Sequence, residues 1–280
     1  PIGISTVGRV VTPALGKEMF LASTTGTSST DRVTAMIRNT IAGIATAKAC
    51  GIGDPTIGIL NIDGARQVER ALKKLREGGY HVNFTESARA DGGVVMRGND
   101  LLMGVPDVMV QDSLTGNVLM KVFSAFTTGG SYESLGSGYG PGVGEDYDRI
   151  ICIISRASGA PVIAGAIKFA GDCAKGKLMD VARAEFAAAK RAGLDGIIAS
   201  IAASAPAMKA EEKAVAAPPK KPVTGSIPGV EVMELEDAVQ SLWKAGIYAE
   251  SGMGCTGPIV MVAQEEINKA LAILQEKKYL

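Results

Sequence analysis

The first 205 residues alternate two hydrophobic patterns. Short continuous apolar runs at 56–62, 108–110 and 150–154 read as buried strands, the last rich in β-branched side chains. Other segments carry apolar positions at helical spacing. Residues 64–77 form a charged amphipathic pattern closed by Gly78-Gly79. A helix over about 117–126 follows the second apolar run, and a third pattern over 177–192 ends at Gly193. A further helix is predicted after Thr30, with Val33, Met36, Ile37, Ile41 and Ile44 on one face. This alternation predicts an α/β fold with a mostly parallel sheet covered by helices. In such sheets ligands gather at the carboxyl ends of the strands, so the loops that follow strands matter most.

Near Ala205 the pattern breaks. Residues 206–226 are dominated by Pro, Ala, Lys and Glu, with Pro218-Pro219 and Lys220-Lys221 at the centre, and read as a partly extended linker. Residues 227–280 read as a helical tail carrying Cys255. One helix is predicted over 234–245, with Leu235, Val239, Leu242 and Trp243 on one face. A second is predicted over 258–278, with Ile259, Val262, Ile267, Leu271 and Leu274 at helical spacing. A glycine-rich turn at 251–257 separates them. Residues 1–205, 206–226 and 227–280 are therefore the expected divisions.

Composition narrows the function classes. The 280 residues are 46% hydrophobic, enough for a sizeable core. Lys+Arg and Asp+Glu balance at 29 each, which argues against a protein that coats nucleic acid or an anionic membrane. No apolar run approaches the roughly 18–20 residues of a spanning helix. The chain opens on Pro1 without an initiator methionine or a signal peptide, and a fragment or processed chain is expected. The four cysteines (50, 152, 173 and 255) form no C-x-x-C pair, and His81 is the single histidine, so no metal site is expected. Widely spaced thiols read as free cysteines of a reducing cytoplasm. His81 sits in an expected strand at 81–84 and is read as structural.

Four stretches can carry chemistry. Residues 23–30 (Ser23-Thr24-Thr25-Gly26-Thr27-Ser28-Ser29-Thr30) precede a helix, and hydroxyls with a glycine at a helix start suit an anion. The plain alternative is a capping loop. Residues 112–117 (Asp112-Ser113-Leu114-Thr115-Gly116-Asn117) again lead from a strand to a helix, with Lys121 one turn beyond Asn117. A capped turn with a surface lysine is equally consistent. Ser155-Arg156-Ala157-Ser158 follows the third strand, where an arginine can fork onto phosphate or form a strand-end salt bridge. Upstream, the glycine run 136–144 precedes a strand instead of following one, so it fails the dinucleotide fingerprint and reads as a mobile lid or wall. Cys255 stands three residues before Pro258, a residue suited to the first helical position. A thiol facing a helix N-terminus is held as thiolate and made nucleophilic. Cys50, Cys152 and Cys173 lie in apolar patterns and read as core.

Three of these motifs, in this order, resemble the phosphate acyltransferase superfamily, which includes phosphotransacetylases, phosphotransbutyrylases and the acyl-carrier-protein:phosphate acyltransferase of lipid synthesis. Residues 19–33 resemble its serine/threonine-glycine loop and following helix. Residues 112–121 (D-S-L-T-G-N-V-L-M-K) are similar to its D-x-x-T-G-N-x-x-x-K segment, and 154–158 to its S-R-(A/G)-x-S motif. Residues 58–62 (G-I-L-N-I) resemble the G-L-L-N-I strand of the lipid-synthesis branch, with Asn61 near the same strand edge. The resemblance spans roughly residues 15–175 and implies an isocitrate/isopropylmalate-dehydrogenase-like α/β/α sandwich with a two-lobed cleft. Phosphotransacetylases carry an acidic residue soon after the serine-arginine pair; here the chain continues Gly159-Ala160-Pro161, which points away from coenzyme A. The tail, 252–258 above all, resembles the family of component C alpha subunits of glycine/sarcosine/betaine reductase complexes. In that family this cysteine carries an acetyl group that phosphate removes as acetyl phosphate.

The resemblance implies roles. Cys255 would bear the acetyl thioester. Ser23, Thr25, Gly26, Ser28, Thr115, Gly116 and Asn117 would hold inorganic phosphate, a substrate, with no cofactor. Arg156 and Lys121 would stabilise the oxyanion, and Ser155 would hydrogen-bond the departing sulfur. Expected partners are a ketoacyl-synthase-like beta subunit, the selenoprotein component of the reductase and further copies of the chain. The alternatives are a free-standing phosphate acyltransferase acting on acyl-carrier-protein or coenzyme A thioesters, and a non-catalytic scaffold whose tail docks a partner.

Overall fold

Side chains along the central strands point alternately into two separate cores. On β2 (Glu18–Thr27), Phe20 and Ala22 join one core while Met19 and Leu21 join the other. On β6 (Val108–Val110), Val108 and Val110 face the first core and Met109 the second. Both faces are covered, so these strands read in the sequence as unbroken apolar runs. The computed structural model describes residues 3–89, 92–129, 131, 136–204, 217–230, 235–254, 257–277 and 279–280. They fall into two units, Pro1–Ala205 and Pro206–Leu280.

The first unit holds an eight-stranded sheet. Its remaining strands are β1 (Ile4–Val11), β3 (Thr56–Leu60), β4 (Asn83–Phe84), β5 (Val95–Met96), β7 (Gly140–Val143) and β8 (Cys152–Ile153). The order is β4-β3-β6-β2-β1-β7-β8, with β5 paired to β3. From β4 to β2 every pairing is parallel; from β2 to β8 every pairing is antiparallel. Helices α1 (Arg32–Ala49), α2 (Ala65–Glu77), α5 (Ala160–Lys175) and α6 (Leu178–Arg191) contribute to one core, and α3 (Gly98–Met103) and α4 (Ser113–Thr128) to the other. Helix α7 (Leu194–Ser204) closes the unit. Mixed α/β architecture with parallel pairing and covering helices is thus present.

Helix α1 has almost no wet side: of its 18 residues, only Arg32, Ala35, Arg38 and Lys48 are not buried. Small residues let it lie close to the sheet. A Cβ on Gly43 would come within 2.5 Å of Val108 Cγ1. Its buried Thr40 and Thr46 hydroxyls donate to the carbonyls of Met36 and Ala42, four residues back (both 2.8 Å).

Three sequence expectations are corrected in this unit. The glycine run at 136–144 is no lid: Gly140–Val143 is strand β7, paired to both β1 and β8. A Cβ on Gly140 would stand 1.8 Å from the Val7 carbonyl oxygen, so close strand approach requires glycine there. Helix α4 begins at Ser113, not near Asn117, because Asp112 caps it: Asp112 accepts the Thr115 N–H and the Thr115 hydroxyl (both 2.9 Å). The 150–154 run yields only the two-residue edge strand β8, and its isoleucines are partly in solvent. His81 precedes β4, is 70% exposed and hydrogen-bonds Asp54 (2.9 Å).

The second unit is not the purely helical tail that its spacing predicts. Strands β9 (Gly225–Pro228), β10 (Ala249–Gly254) and β11 (Gly257–Val262) form an antiparallel sheet in the order β10-β11-β9. Helices α8 (Leu235–Lys244) and α9 (Ile267–Glu276) pack with it around Ile227, Val239, Leu242, Val260, Val262 and Leu274. The run Ile259-Val260-Met261-Val262 alternates inward Val260 and Val262 with half-buried neighbours, a strand period that the longer helical spacing masked. The expected linker also ends early, since Gly225 already belongs to β9, where a Cβ would meet Ile267 Cδ1 at 2.4 Å. Residues 217–224 have no regular structure, and 206–216 lie outside the described residues.

Candidate functional site

In the parallel half of the sheet the carboxyl ends of β2, β3 and β6 share one edge, and each strand is followed by a helix that starts there. Helix N-termini expose amides with no helical partner, and the aligned peptide dipoles favour an anion. Between the starts of α1 and α4 lies a cleft of about 190 Å³, lined by Ser23, 26–30, Arg32, Ala35, Asn39 and 112–114. Ser23, Gly26 and Ser28 of the predicted loop are therefore brought to one cavity with the Asp112 segment. Thr27, Ser29 and Thr30 of the same stretch line the cleft beside them, together with Arg32, which sequence reasoning did not single out.

The hydroxyls divide into two groups. Ser23 is buried and its hydroxyl is spent internally, donating to the carbonyls of Thr6 (3.1 Å) and Thr25 (2.6 Å) and accepting the Thr6 N–H (3.1 Å). Ser28 donates to Asn39 Oδ1 (2.7 Å) and to the Ala35 carbonyl (3.2 Å). Thr27 and Thr30, by contrast, are exposed at the cleft. Arg32 caps the cleft with a guanidinium that pairs at 3.0 Å with the exposed Asp63 after β3. That ion pair is in solvent and weak, so an anion in the cleft can compete for it.

Asn39, buried in α1, fixes this geometry. Its Oδ1 accepts the hydroxyls of Ser5 and Ser28 (both 2.7 Å), and its Nδ2 donates to the Gln111 carbonyl (3.0 Å). Gln111 in turn donates from Nε2 to the Ser23 carbonyl (3.0 Å). The one sequence signal for Asn39 is that it is the lone side-chain amide of α1, set among Ile37, Thr40 and Ile41. Gly116 lets α4 close on the same strand end, because a Cβ there would fall 1.8 Å from the Ser23 carbonyl oxygen. The Thr115 amide and hydroxyl and the Gly116 amide are all taken by Asp112, so these two residues shape the helix start.

Asn117 and Lys121 do not line the cleft. They meet each other further along α4: Lys121 Nζ donates to Asn117 Oδ1 (2.5 Å) and to the Tyr139 hydroxyl (3.3 Å), and Asn117 Nδ2 donates to the Thr24 carbonyl (3.2 Å). Thr25 pairs with Thr6 across the β1–β2 ladder. Asn61 is exposed just beyond β3 and outside the cleft lining. Ser155 and Arg156 follow β8, which runs opposite to β2, so the chain leaves the sheet away from the cleft edge. Arg156 is exposed, while Ser155 and Ser158 make local turn bonds, Ser155 Oγ accepting the Ala157 N–H and Ser158 Oγ the Ser155 N–H (both 3.1 Å).

Cys255 lies outside the described residues. Its neighbours Gly254 and Gly257 pair across the β10–β11 hairpin, and Pro258 belongs to β11, so the expectation of a helix start beside the thiol is corrected. Of the other thiols, Cys173 is buried, while Cys50 and Cys152 are half-buried. A hydrogen bond with Cys173 holds the Cys50 thiol below its ordinary value against the effect of burial, with the Arg9 charge helping. Burial pushes the Cys152 thiol up to about 11.

Polar helix-start clefts on parallel sheets are a general device, and kinship adds what geometry leaves open. Residues 1–261 match the fatty acid synthesis protein family, and the chain belongs to that family. Among named proteins, it is 63% identical over 276 residues to the glycine/sarcosine/betaine reductase complex component C subunit alpha of Peptoclostridium acidaminophilum, a match covering 99% of this chain and 71% of that protein. A phosphate acyltransferase of Phenylobacterium zucineum is 33% identical over 105 residues, covering 32% of this chain and 28% of the relative. Another, from a Geobacillus species, is 32% identical over 135 residues, covering 42% and 38%. No helix among the described residues is long and apolar enough to cross a membrane.

Proposed function

We propose that the chain is the phosphate acyltransferase-type subunit of a cytoplasmic amino-acid reductase complex, in which phosphate cleaves an acetyl thioester on Cys255. A phosphate oxygen attacks the thioester carbonyl carbon, the carbon–sulfur bond breaks, and the sulfur leaves with a proton as the Cys255 thiol. The product is acetyl phosphate. The observation that carries this reading is the cleft between the starts of α1 and α4, whose hydroxyls, helix-start amides and Arg32 suit a small anion. The 63% identity to a reductase component C subunit alpha supports the same role.

In this reading phosphate is held by Thr27, Ser29, Thr30, Arg32 and the free amides at the start of α4. Ser23, Ser28, Thr115 and Gly116 set the shape of the cleft. Lys121, further along α4 from the cleft, serves the oxyanion, whereas Ser155 and Arg156, at the opposite edge of the same sheet, take no part in this reading. Being on the same chain as the cleft raises the local concentration of Cys255, to about the mM range where a tether spans the two sites. A ketoacyl-synthase-like beta subunit and the selenoprotein component supply the acetyl group, and copies of the chain associate.

The test is acetyl labelling followed by phosphate chase, with peptide mapping by mass. Cys255→Ala is expected to abolish labelling. Arg32→Ala and Lys121→Ala are expected to leave labelling intact and slow acetyl phosphate release by about 10²-fold, the cost of one oxyanion or phosphate donor, while Arg156→Ala is expected to leave release unchanged. Full phosphate-dependent turnover of acyl-carrier-protein or coenzyme A thioesters by Cys255→Ala overturns the tethered thiol. It favours a free-standing phosphate acyltransferase, the reading that the two shorter matches support.

A further inference from the structure

We propose that Cys50 and Cys173 are a peroxide-reactive pair that closes reversibly to a disulfide, pinning the carboxyl end of α1 to α5. The two thiols are distant in sequence, and the crossing of two helix ends brings them together. Gly176, which caps α5, lies so close to the last turn of α1 that a Cβ on it would fall 1.8 Å from the Ala49 carbonyl oxygen. Cys173 stands one turn before Gly176, and Cys50 follows Ala49 as the cap of α1. A hydrogen bond joins the two thiols. Cys173 is fully buried, whereas Cys50 is half-buried and keeps part of its surface in solvent. A small oxidant therefore reaches Cys50 first, with Cys173 directly behind it. The anion cleft lies at the other end of α1, 18 residues and about 27 Å away.

The surroundings fix which thiol attacks. Arg9 of β1 pairs with Asp172 (3.0 Å) and lies 4.4 Å over the Phe169 ring, on the face of α5 that carries Cys173. The hydrogen bond from Cys173 and the Arg9 charge favour the Cys50 thiolate, the nucleophilic form. The same hydrogen bond and burial push the Cys173 thiol well up, so it keeps its proton until Cys50 has reacted. Cys152 shares this sheet face: Thr6 pairs with Gly142 and Pro141 with Cys152, so its side chain points with those of Val7 and Arg9. Burial holds Cys152 at about 11, so it does not start the reaction. The Cys50 thiolate attacks one oxygen of hydrogen peroxide; the oxygen–oxygen bond breaks, leaving Cys50 sulfenic acid and, with a proton, water. The Cys173 sulfur then displaces the sulfenic oxygen, and its proton leaves with that oxygen as a second water. Two thiols give up two electrons and two protons, and peroxide takes up both.

The experiment treats the full chain with excess hydrogen peroxide, alkylates the remaining thiols under denaturing conditions and maps the peptides by mass. Expected is a peptide pair joined through Cys50 and Cys173, about 2 Da lighter than the two free peptides together, which dithiothreitol separates. The bridge closes a loop on the order of 100 residues, so the oxidised chain is expected to melt about 10 °C higher. Cys173→Ala is expected to carry Cys50 on to sulfinic acid, about 32 Da heavier and not reversed by dithiothreitol. Cys152→Ala is expected to leave the bridge in place. The wild-type map decides even if a variant does not fold. A bridge from Cys50 to any other cysteine, sulfinic acid on Cys50 of the wild type, or both thiols still free for alkylation overturns the proposal. A bridge that lowers the melting temperature overturns it as well, because closure would then distort the two helix ends.

Discussion

The parallel half of the sheet, β4-β3-β6-β2, and the antiparallel half, β2-β1-β7-β8, build opposite kinds of surface from one continuous hydrogen-bonded ladder. In the parallel half, each of β2, β3 and β6 returns through a helix, so helix starts accumulate on one edge and the edge is polar by virtue of its backbone. In the antiparallel half, strand direction alternates and no helix starts collect, so the character of the surface is left to side chains, here Ile4, Ile151, Ile153 and Tyr147. A cavity whose chemistry comes from topology resists side-chain substitution; one lined by side chains can be retuned residue by residue.

The strongest test of this contrast is Gly140→Ala in the antiparallel half. The new Cβ would sit 1.8 Å from the Val7 carbonyl oxygen at a φ of +100°, so overpacking and backbone strain add. A loss of about 3 kcal/mol in urea unfolding is expected. A loss under about 1 kcal/mol would mean that β7 yields more readily than its packing implies. Next in size is Asn39→Ala on the parallel side, which strips the Gln111 carbonyl and the Ser5 hydroxyl of their buried partner. A loss of about 2 kcal/mol is expected, with a smaller phosphate-induced rise in melting temperature. An unchanged phosphate response would separate cleft geometry from the Asn39 network.

The smallest effect is on acid stability and belongs to the parallel half. Burial pushes Asp107 and Asp100 up. The Thr56 N–H, the Thr56 hydroxyl and Lys17 outweigh this for Asp107, as do the Arg97 and Ala88 N–H groups and the Ser87 hydroxyl for Asp100, and both carboxyls are held below their ordinary 3.8. A carboxyl depressed in the folded state stabilises above its unfolded value, and that stability is lost as pH falls below it. Stability is therefore expected to drop below about pH 4, and Asp107→Asn to flatten that drop in acid titrations. An identical acid slope in the variant would show that other groups govern it.

The parallel half was also the legible half. Its inner strands β3 and β6 are buried on two faces and give unbroken apolar runs, and α2 and α6 have clean amphipathic spacing, with Gly78 capping α2 and Ala192-Gly193 following α6. The antiparallel half was not: Gly140-Pro141-Gly142-Val143 has the composition of a loop, and only its pairing with β1 and β8, distant in sequence, makes it a strand. In the second unit, spacing that fits a helix at Ile259, Val262 and Ile267 concealed a strand followed by a separate helix. For the cleft, hydroxyl density at 23–30 located the segment. It could not rank the hydroxyls, because which of them are already spent depends on Thr6, Asn39 and Gln111, far away in sequence.

Because α1 lies encased by sheet and neighbouring helices along nearly its whole length, its amides have no route to exchange with water short of dismantling the first unit. The anion cleft hangs from the end of that helix, so its shape is set before any ligand arrives. Association there should run close to the encounter limit for a small charged solute, with little reorganisation left to slow it.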